Sequence, residues 1–168
     1  MAKPVVCNAG PLIHLDQLGS LDLLSDFPSV SIPETVWAEV IHHRPAALPQ
    51  LFLTRVGPVA AAASSVAALC RAFSLDAGEA ACLALLSGMP KAMFLTDDAA
   101  ARLVAANMGI EVHGTIGVLL RSIRTGRRNP RQVLQLLDEI PIRSSLYIDR
   151  ALLVQVRGRL CQEFGINP

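Results

Sequence analysis

Apolar residues fall along this chain in two alternating kinds of run. The first kind is short, continuous and bounded by turn residues. Pro4–Cys7, Ser29–Ile32, Leu51–Val56, Ala92–Thr96 and Ile110–Val112 are of this kind. Runs of this length without polar alternation predict strands buried on both faces. Gly57-Pro58 breaks the third, which reads as an edge strand. Ala92–Thr96 reads as a central one.

The second kind repeats every three to four residues and predicts helices. Pro11 opens one holding Leu12, Ile13, Leu15 and Leu18, with Gly19 as its stop. Ser20 is placed to cap a short helix with Leu21, Leu23 and Leu24. Pro33 opens the next, with Val36, Trp37, Val40 and Ile41, and Arg44 to Gln50 reads as a loop. The Ala-rich stretch 59–73 predicts a helix, and so does Leu75 to about Ser87, closed by Gly88-Met89-Pro90. Asp97-Asp98 open a helix to Asn107, with Gly109 as its stop, and Thr115–Arg124 form another that ends at Gly126. Two helices close the chain. One starts at Asn129-Pro130, with Val133, Leu134, Leu137 and Ile140 on one face. The other starts near Ser144 or Ser145, with Leu152, Leu153, Val156 and Leu160 on a stripe.

Strands alternating with helices across short loops predict a three-layer α/β/α sandwich around a short parallel sheet. The 168 residues suit a single domain over 1–168, with the C-terminal helices of about 129–168 packed on it. Ligands of such sheets bind beyond the carboxyl ends of the strands. The polar residues that follow each strand therefore carry the functional question.

Composition narrows the classes. The chain is 52% hydrophobic and 17% charged, which excludes a disordered chain. Aromatics make up 4%, too few for a base-stacking platform to dominate a surface. The net charge of +1 hides an asymmetry. Residues 1–113 hold 6 basic and 10 acidic side chains, and residues 114–168 hold 9 arginines and 4 acids. Arg121, Arg124, Arg127, Arg128 and Arg131 crowd into eleven positions, a cluster that suits either phosphates or a solvated helix end. The four cysteines form no CxxC pair, and the four histidines no HxxxH pair, so neither supplies a recognisable metal site. No leader or membrane span is predicted, which places the protein in a reducing cytoplasm.

Asn8 follows the first strand, and Asp97 and Asp98 follow the fourth. Glu39 lies on the helix after the second strand, and Asp76 and Glu79 start a later helix. Carboxylates gathered at one point repel each other unless a cation sits among them, and oxygen ligands favour magnesium or manganese. Each residue also has a local reading. Asp76-x-x-Glu79 fits a capping box, the Asp97-Asp98 pair suits a helix start, and Asn8 suits a turn. Adjacent in sequence, Asp97 and Asp98 point in different directions, and Asp97 is the slightly favoured of the two. Thr96 or Thr115 could supply a hydroxyl.

These residues also carry a family resemblance. Val5-Val6-Cys7-Asn8-Ala9-Gly10-Pro11-Leu12-Ile13 resembles the opening strand and turn of PIN-domain proteins. Ile32-Pro33-Glu34-Thr35-Val36-Trp37-Ala38-Glu39-Val40 resembles their second block, and Leu75-Asp76-Ala77-Gly78-Glu79-Ala80 their third. Leu95-Thr96-Asp97-Asp98-Ala99-Ala100-Ala101-Arg102 resembles the fourth. His113-Gly114-Thr115-Ile116-Gly117-Val118-Leu119-Leu120 resembles a further block of a branch described as predicted nucleic-acid-binding proteins. The resemblance spans about residues 4–155.

It implies an α/β/α sandwich and a ribonuclease that uses Mg2+ or Mn2+. Glu39, Glu79, Asp97 and Asp98 would be its metal ligands, and Asn8 would join them in catalysis. Many such proteins are toxins of toxin–antitoxin pairs, similar to VapC, often homodimeric and silenced by a small antitoxin. RNA would then lie along Thr115, Arg121, Arg124, Arg127 and Arg128. Asn8 departs from the pattern, which has Asp at that position. Three outcomes stay open: a weakened nuclease, a nuclease whose other acids suffice, or a nucleic-acid- or protein-binding module without catalysis. No phosphate loop or nucleophile turn of the GxGxxG, GxxxxGK[ST] or GxSxG kind is present.

Overall fold

A computed structural model describes residues 3–167; Met1, Ala2 and Pro168 lie outside the described residues. Five short strands form one all-parallel sheet: β1 (Val5–Cys7), β2 (Val30–Pro33), β3 (Leu53–Val56), β4 (Met93–Leu95) and β5 (Val112–His113). Their spatial order is β3-β2-β1-β4-β5. Eight helices connect and cover them: α1 (Ala9–Gln17), α2 (Glu34–His43), α3 (Ser64–Ala72), α4 (Ala77–Ser87), α5 (Ala99–Asn107), α6 (Thr115–Arg124), α7 (Pro130–Arg143) and α8 (Arg150–Phe164). Helices lie on both sides of the sheet, as a PIN-like α/β/α fold requires.

The strand order explains the composition of each strand. β1 is the centre, and Val5, Val6 and Cys7 are wholly buried. β4 lies beside it, paired on both sides, and is a central strand as its apolar run predicts. β3 is an edge strand and carries exposed Thr54 and Arg55. Arg55 pairs with Glu34 and lies 5.7 Å over the Trp37 ring, so the open edge ends in a charged, capped surface.

Several helix boundaries differ from the periodicity: α1 starts at Ala9, two residues before Pro11, and the segment Arg44 to Gln50 holds a 3-10 turn at Pro45–Ala47. The 59–73 stretch is helical only from Ser64, because its first residues offer no apolar side chain larger than Val59 to bury. Leu21–Asp26 forms a 3-10 helix, and the Ser20 hydroxyl donates to the Leu18 carbonyl instead of capping it. The last helix starts at Arg150, since Asp149 accepts from the Ala151 and Leu152 amides and caps it there.

The order places the site. Strands run outward from β1 to β2 and β3, then resume on its other side with β4 and β5. The direction of winding therefore switches between β1 and β4. In open parallel sheets the crevice for a ligand opens at this point, beyond the carboxyl ends of the two strands. Asn8 stands at the end of β1 and Asp97-Asp98 at the end of β4.

Candidate functional site

At the switch point the Asn8 amide donates to the Leu95 carbonyl at 2.9 Å, extending the β1–β4 ladder by one bond. Asn8 then occupies the N-cap position of α1, yet its side chain makes no capping bond. The reason lies in the sequence. The third helical residue is Pro11, which removes one of the two amides an N-cap side chain ordinarily binds, and the Gly10 amide is left unused. Asn8 is 7% exposed, and its Oδ1 is buried without a hydrogen-bond partner. A buried acceptor of this kind is an unmet demand for a donor or a cation.

Helix α4, which carries Glu79 in its first turn, packs against β1. The Cys82 thiol, one turn further along α4, points at the Cys7 carbonyl at 3.8 Å. Asp76 and Glu79 form the capping box that the sequence suggests. The Glu79 amide donates to Asp76 Oδ1 at 2.7 Å, and the Asp76 amide donates to Glu79 Oε2 at 3.0 Å. The box holds the Glu79 carboxylate in place without neutralising it. Burial, and then the charges of Asp76, Asp98 and Glu39, push its pKa up to about 7 against the pull of the Asp76 amide. Glu39 is likewise raised, by burial and by the Asp76 charge. Gly78 makes this crowding possible. A Cβ there would stand 3.2 Å from Val36 Cγ2 and 3.3 Å from Glu39 Oε2, so a larger residue would press α2 and α4 apart by a few tenths of an ångström.

Asp98 caps α5, accepting from the Ala101 amide at 2.7 Å through Oδ1. Its charge is one of those that raise Glu79.

Asp97 belongs to a different network. Its Oδ1 accepts from the Thr115 amide at 2.7 Å. Its Oδ2 accepts from the Thr115 hydroxyl at 2.6 Å and from His14 Nδ1 at 2.7 Å. A carboxylate can only accept, so Nδ1 of His14 carries the proton. Burial raises the Asp97 pKa, but the bonds from His14 and Thr115 outweigh it and hold it below the ordinary carboxylate value. Gly114 leaves room for this contact, since a Cβ there would fall 2.5 Å from Asp97 Oδ1.

The predicted residues thus divide. Glu39, Glu79 and Asp98 share one electrostatic neighbourhood with Asp76. Asp97, the favoured member of its pair on sequence, is spent on His14 and Thr115. Thr115 is wholly buried and offers RNA no surface. Arg127 pairs with Asp22 and Asp26, Arg128 pairs with Asp22, and Arg121 stacks on Phe27 at 4.6 Å beside Asp26. Arg124 has no ion pair among the described residues. His14 stands alone in the sequence, with no second histidine at ligand spacing. The Gly10/His14 spacing of four sets both residues on the α1 face turned to Asp97.

Among the described residues, no three His, Cys, Asp or Glu side chains stand close enough to form a ready-made cation cage. The donors present are hard oxygens: two carboxylates that resist being charged together, a third at the α5 cap and an unpartnered amide oxygen. That set fits a cation that keeps most of its water and takes only one or two carboxylates, as Mg2+ does. The Cys7 and Cys82 thiols are buried, which raises both far above ordinary thiol values and leaves them inert.

A family model described as a PIN domain matches residues 4–162. No curated protein and no solved structure matches the chain.

Proposed function

The chain belongs to the PIN-domain family, and from that premise we propose that it is a divalent-cation-dependent nuclease that hydrolyses RNA phosphodiester bonds. PIN domains have a nuclease-type fold, generally use divalent metal ions and generally bind nucleic acids. The observation that carries the proposal here is the buried, unpartnered Oδ1 of Asn8 at the sheet's switch point, together with Glu79 and Glu39, whose pKa values are raised by burial and by neighbouring acids.

Glu79, Glu39 and Asp98 would hold the cation, Mg2+ or Mn2+, directly or through its waters, with Asn8 as a neutral oxygen donor. When bound, such a cation polarises a phosphoryl oxygen and lowers the pKa of an attacking water. Glu79 stays fixed by its capping box, so its free oxygen keeps one direction. A bound cation would answer the charges that raise its pKa and hold it ionised. Asp97 sets the geometry from behind, joining the ends of β4, α1 and α6.

The same proposal carries a toxin role, with a small antitoxin and a second copy of the chain as partners. Exposed Ile142, Val154 and Phe164 on α7 and α8 are the surface such partners would cover. No described helix is long and apolar enough to cross a membrane. The four free, buried cysteines suit the cytoplasm. The second reading, a binding module without catalysis, draws on Asn8 itself. A neutral ligand where the family has a charged one weakens cation affinity.

Cleavage of a labelled RNA pool with Mn2+ separates the two. The wild type is run beside Asp98→Asn and Asn8→Asp. Cutting by the wild type and loss in Asp98→Asn supports the nuclease. Cutting by Asn8→Asp alone makes this a nuclease scaffold disabled at its first acid. Cutting by none overturns the proposal.

A further inference from the structure

A cavity of about 160 Å³ lies between α6, strands β4 and β5, and Phe27. None of Asn8, Glu39, Glu79, Asp97 or Asp98 lines it. Its floor is apolar, from Phe27, Met93, Leu95 and Val118. Its charged wall is formed by Lys3, Glu111, His113, Arg121 and Arg124.

The charges on that wall are unequally answered. Glu111 is spent: Lys3 pairs with one of its oxygens, and His113 Nε2 donates to the other at 3.0 Å. Arg121 is not spent. Its guanidinium lies 4.6 Å over the Phe27 ring, and its Nη1 is buried without a hydrogen-bond partner. Asp26 Oδ2 stands 3.7 Å from that nitrogen, beyond hydrogen-bond reach, and already accepts from the Thr125 hydroxyl at 2.9 Å. The other oxygen of Asp26 faces Arg127 at 3.4 Å. Arg124, exposed at the rim, has no ion pair among the described residues. A buried donor without an acceptor is an unmet demand, and here the donor is a cation over an apolar floor.

We propose that this cavity binds a small organic acid, with its carboxylate on Arg121 and Arg124 and its apolar body against Met93, Leu95 and Val118. The planar fork of an arginine matches the two oxygens of a carboxylate. The charge favours a monoanion. Three cations face one carboxylate on the wall, and Asp26 answers part of Arg121, which leaves room for about one negative charge. A phosphate monoester brings nearly two at neutral pH. A bare inorganic anion would leave the apolar floor uncovered and gain nothing from it. The inference stands apart from the nuclease reading, because the cavity shares no residue with the acids.

The test is titration of the isotope-labelled protein in EDTA with phenylacetate and with isovalerate, followed by amide and arginine side-chain NMR signals. At least one acid binds with a Kd of about 1 mM and shifts the signals of Gly117, Val118 and Arg121. The matching neutral amides, phenylacetamide and isovaleramide, bind at least about tenfold more weakly, and so does sulfate. Arg121→Lys keeps the charge, loses the fork and weakens the acid about tenfold. Arg124→Gln, at an exposed site, keeps the wild-type Tm and weakens the acid about threefold; it carries the test should Arg121→Lys fail to fold. No saturable binding of either acid below about 10 mM overturns the inference. Equal binding of acid and amide, sulfate binding as tightly as the acids, or wild-type affinity in the arginine variants also overturns it. Shifts confined to residues away from Gly117 and Val118 do the same, since they place the acid outside the cavity. So does a short single-stranded RNA that moves these signals at lower concentration than either acid, which gives the arginines to nucleic acid.

Discussion

Asp97 and Glu79 both lie beyond the carboxyl end of the sheet, and they are opposite kinds of buried acid. Asp97 is oversupplied with donors: three bonds from two residues converge on it, and its pKa is held down. Glu79 is undersupplied: one backbone amide serves it, three other acids oppose it, and its pKa is pushed up to about 7. A saturated carboxylate is part of the frame. An unsaturated one is a place where the fold leaves a charge unanswered, and perturbed acids of this kind collect at functional sites. The contrast separates scaffold from chemistry more sharply than sequence position does, since Asp97 and Asp98 are neighbours in the chain.

The largest effect expected from breaking this contrast is on the Asp97 side. Asp97→Ala strands the Thr115 amide and hydroxyl and the His14 imidazole, all drawn from elements that meet only here. A loss of about 3 kcal/mol is expected in urea denaturation. Gly114→Ala drives a methyl group onto Asp97 Oδ1 and costs about 2 kcal/mol by the same measurement. If both variants unfold like the wild type, Asp97 is no frame residue.

Next in size is the opposite response of the two acids to pH. Asp97 has a folded pKa below its unfolded one. Its contribution is present above the unfolded value and is lost only as pH falls through the folded one. Glu79 runs the other way. Its folded pKa of about 7 exceeds the unfolded value of about 4.3, so the native state binds its proton more tightly. Its contribution is greatest below pH 4.3 and drains away as pH rises toward 7. In EDTA, Glu79→Gln keeps the capping box and removes this loss. It is expected to exceed the wild type in stability at pH 8 by about 1–2 kcal/mol, and to fall level with it near pH 4.5. A variant that is less stable at both pH values would show that Glu79 is answered by a partner after all.

Much of the frame could be read from the chain. Buried strands had to be short and continuous, and Asn8, Glu39, Glu79 and the Asp97-Asp98 pair had to follow or face their carboxyl ends. What the chain could not show is which of these acids is already satisfied. His14 and Thr115 lie 83 and 18 residues from Asp97, and nothing local marks either as its partner. The arginine cluster is the same case. Arg127 and Arg128 look free in sequence, yet Asp22, more than a hundred residues earlier, meets both. Local pattern reports where a charge sits. Only the packing of distant segments reports whether it is spent.

The smallest effect expected on stability is the most telling. Asp98 has two duties that a single substitution can separate. Oδ1 caps α5, while the carboxylate's charge adds to the group that raises Glu79. Asn caps a helix as well as Asp does, so Asp98→Asn should stay within about 0.5 kcal/mol of the wild type in EDTA. It removes the charge, and with it part of what would attract a cation. For the wild type at pH 8, Mn2+ at ten times its Kd adds about 1.4 kcal/mol, some 3–6 °C in Tm. Asp98→Asn is expected to lose most of that rise, whereas Asp97→Ala keeps it from a lower starting Tm. If Asp97→Ala loses the Mn2+ response and Asp98→Asn keeps it, the two aspartates have the opposite roles, and the saturated carboxylate is the one that opens to bind the cation.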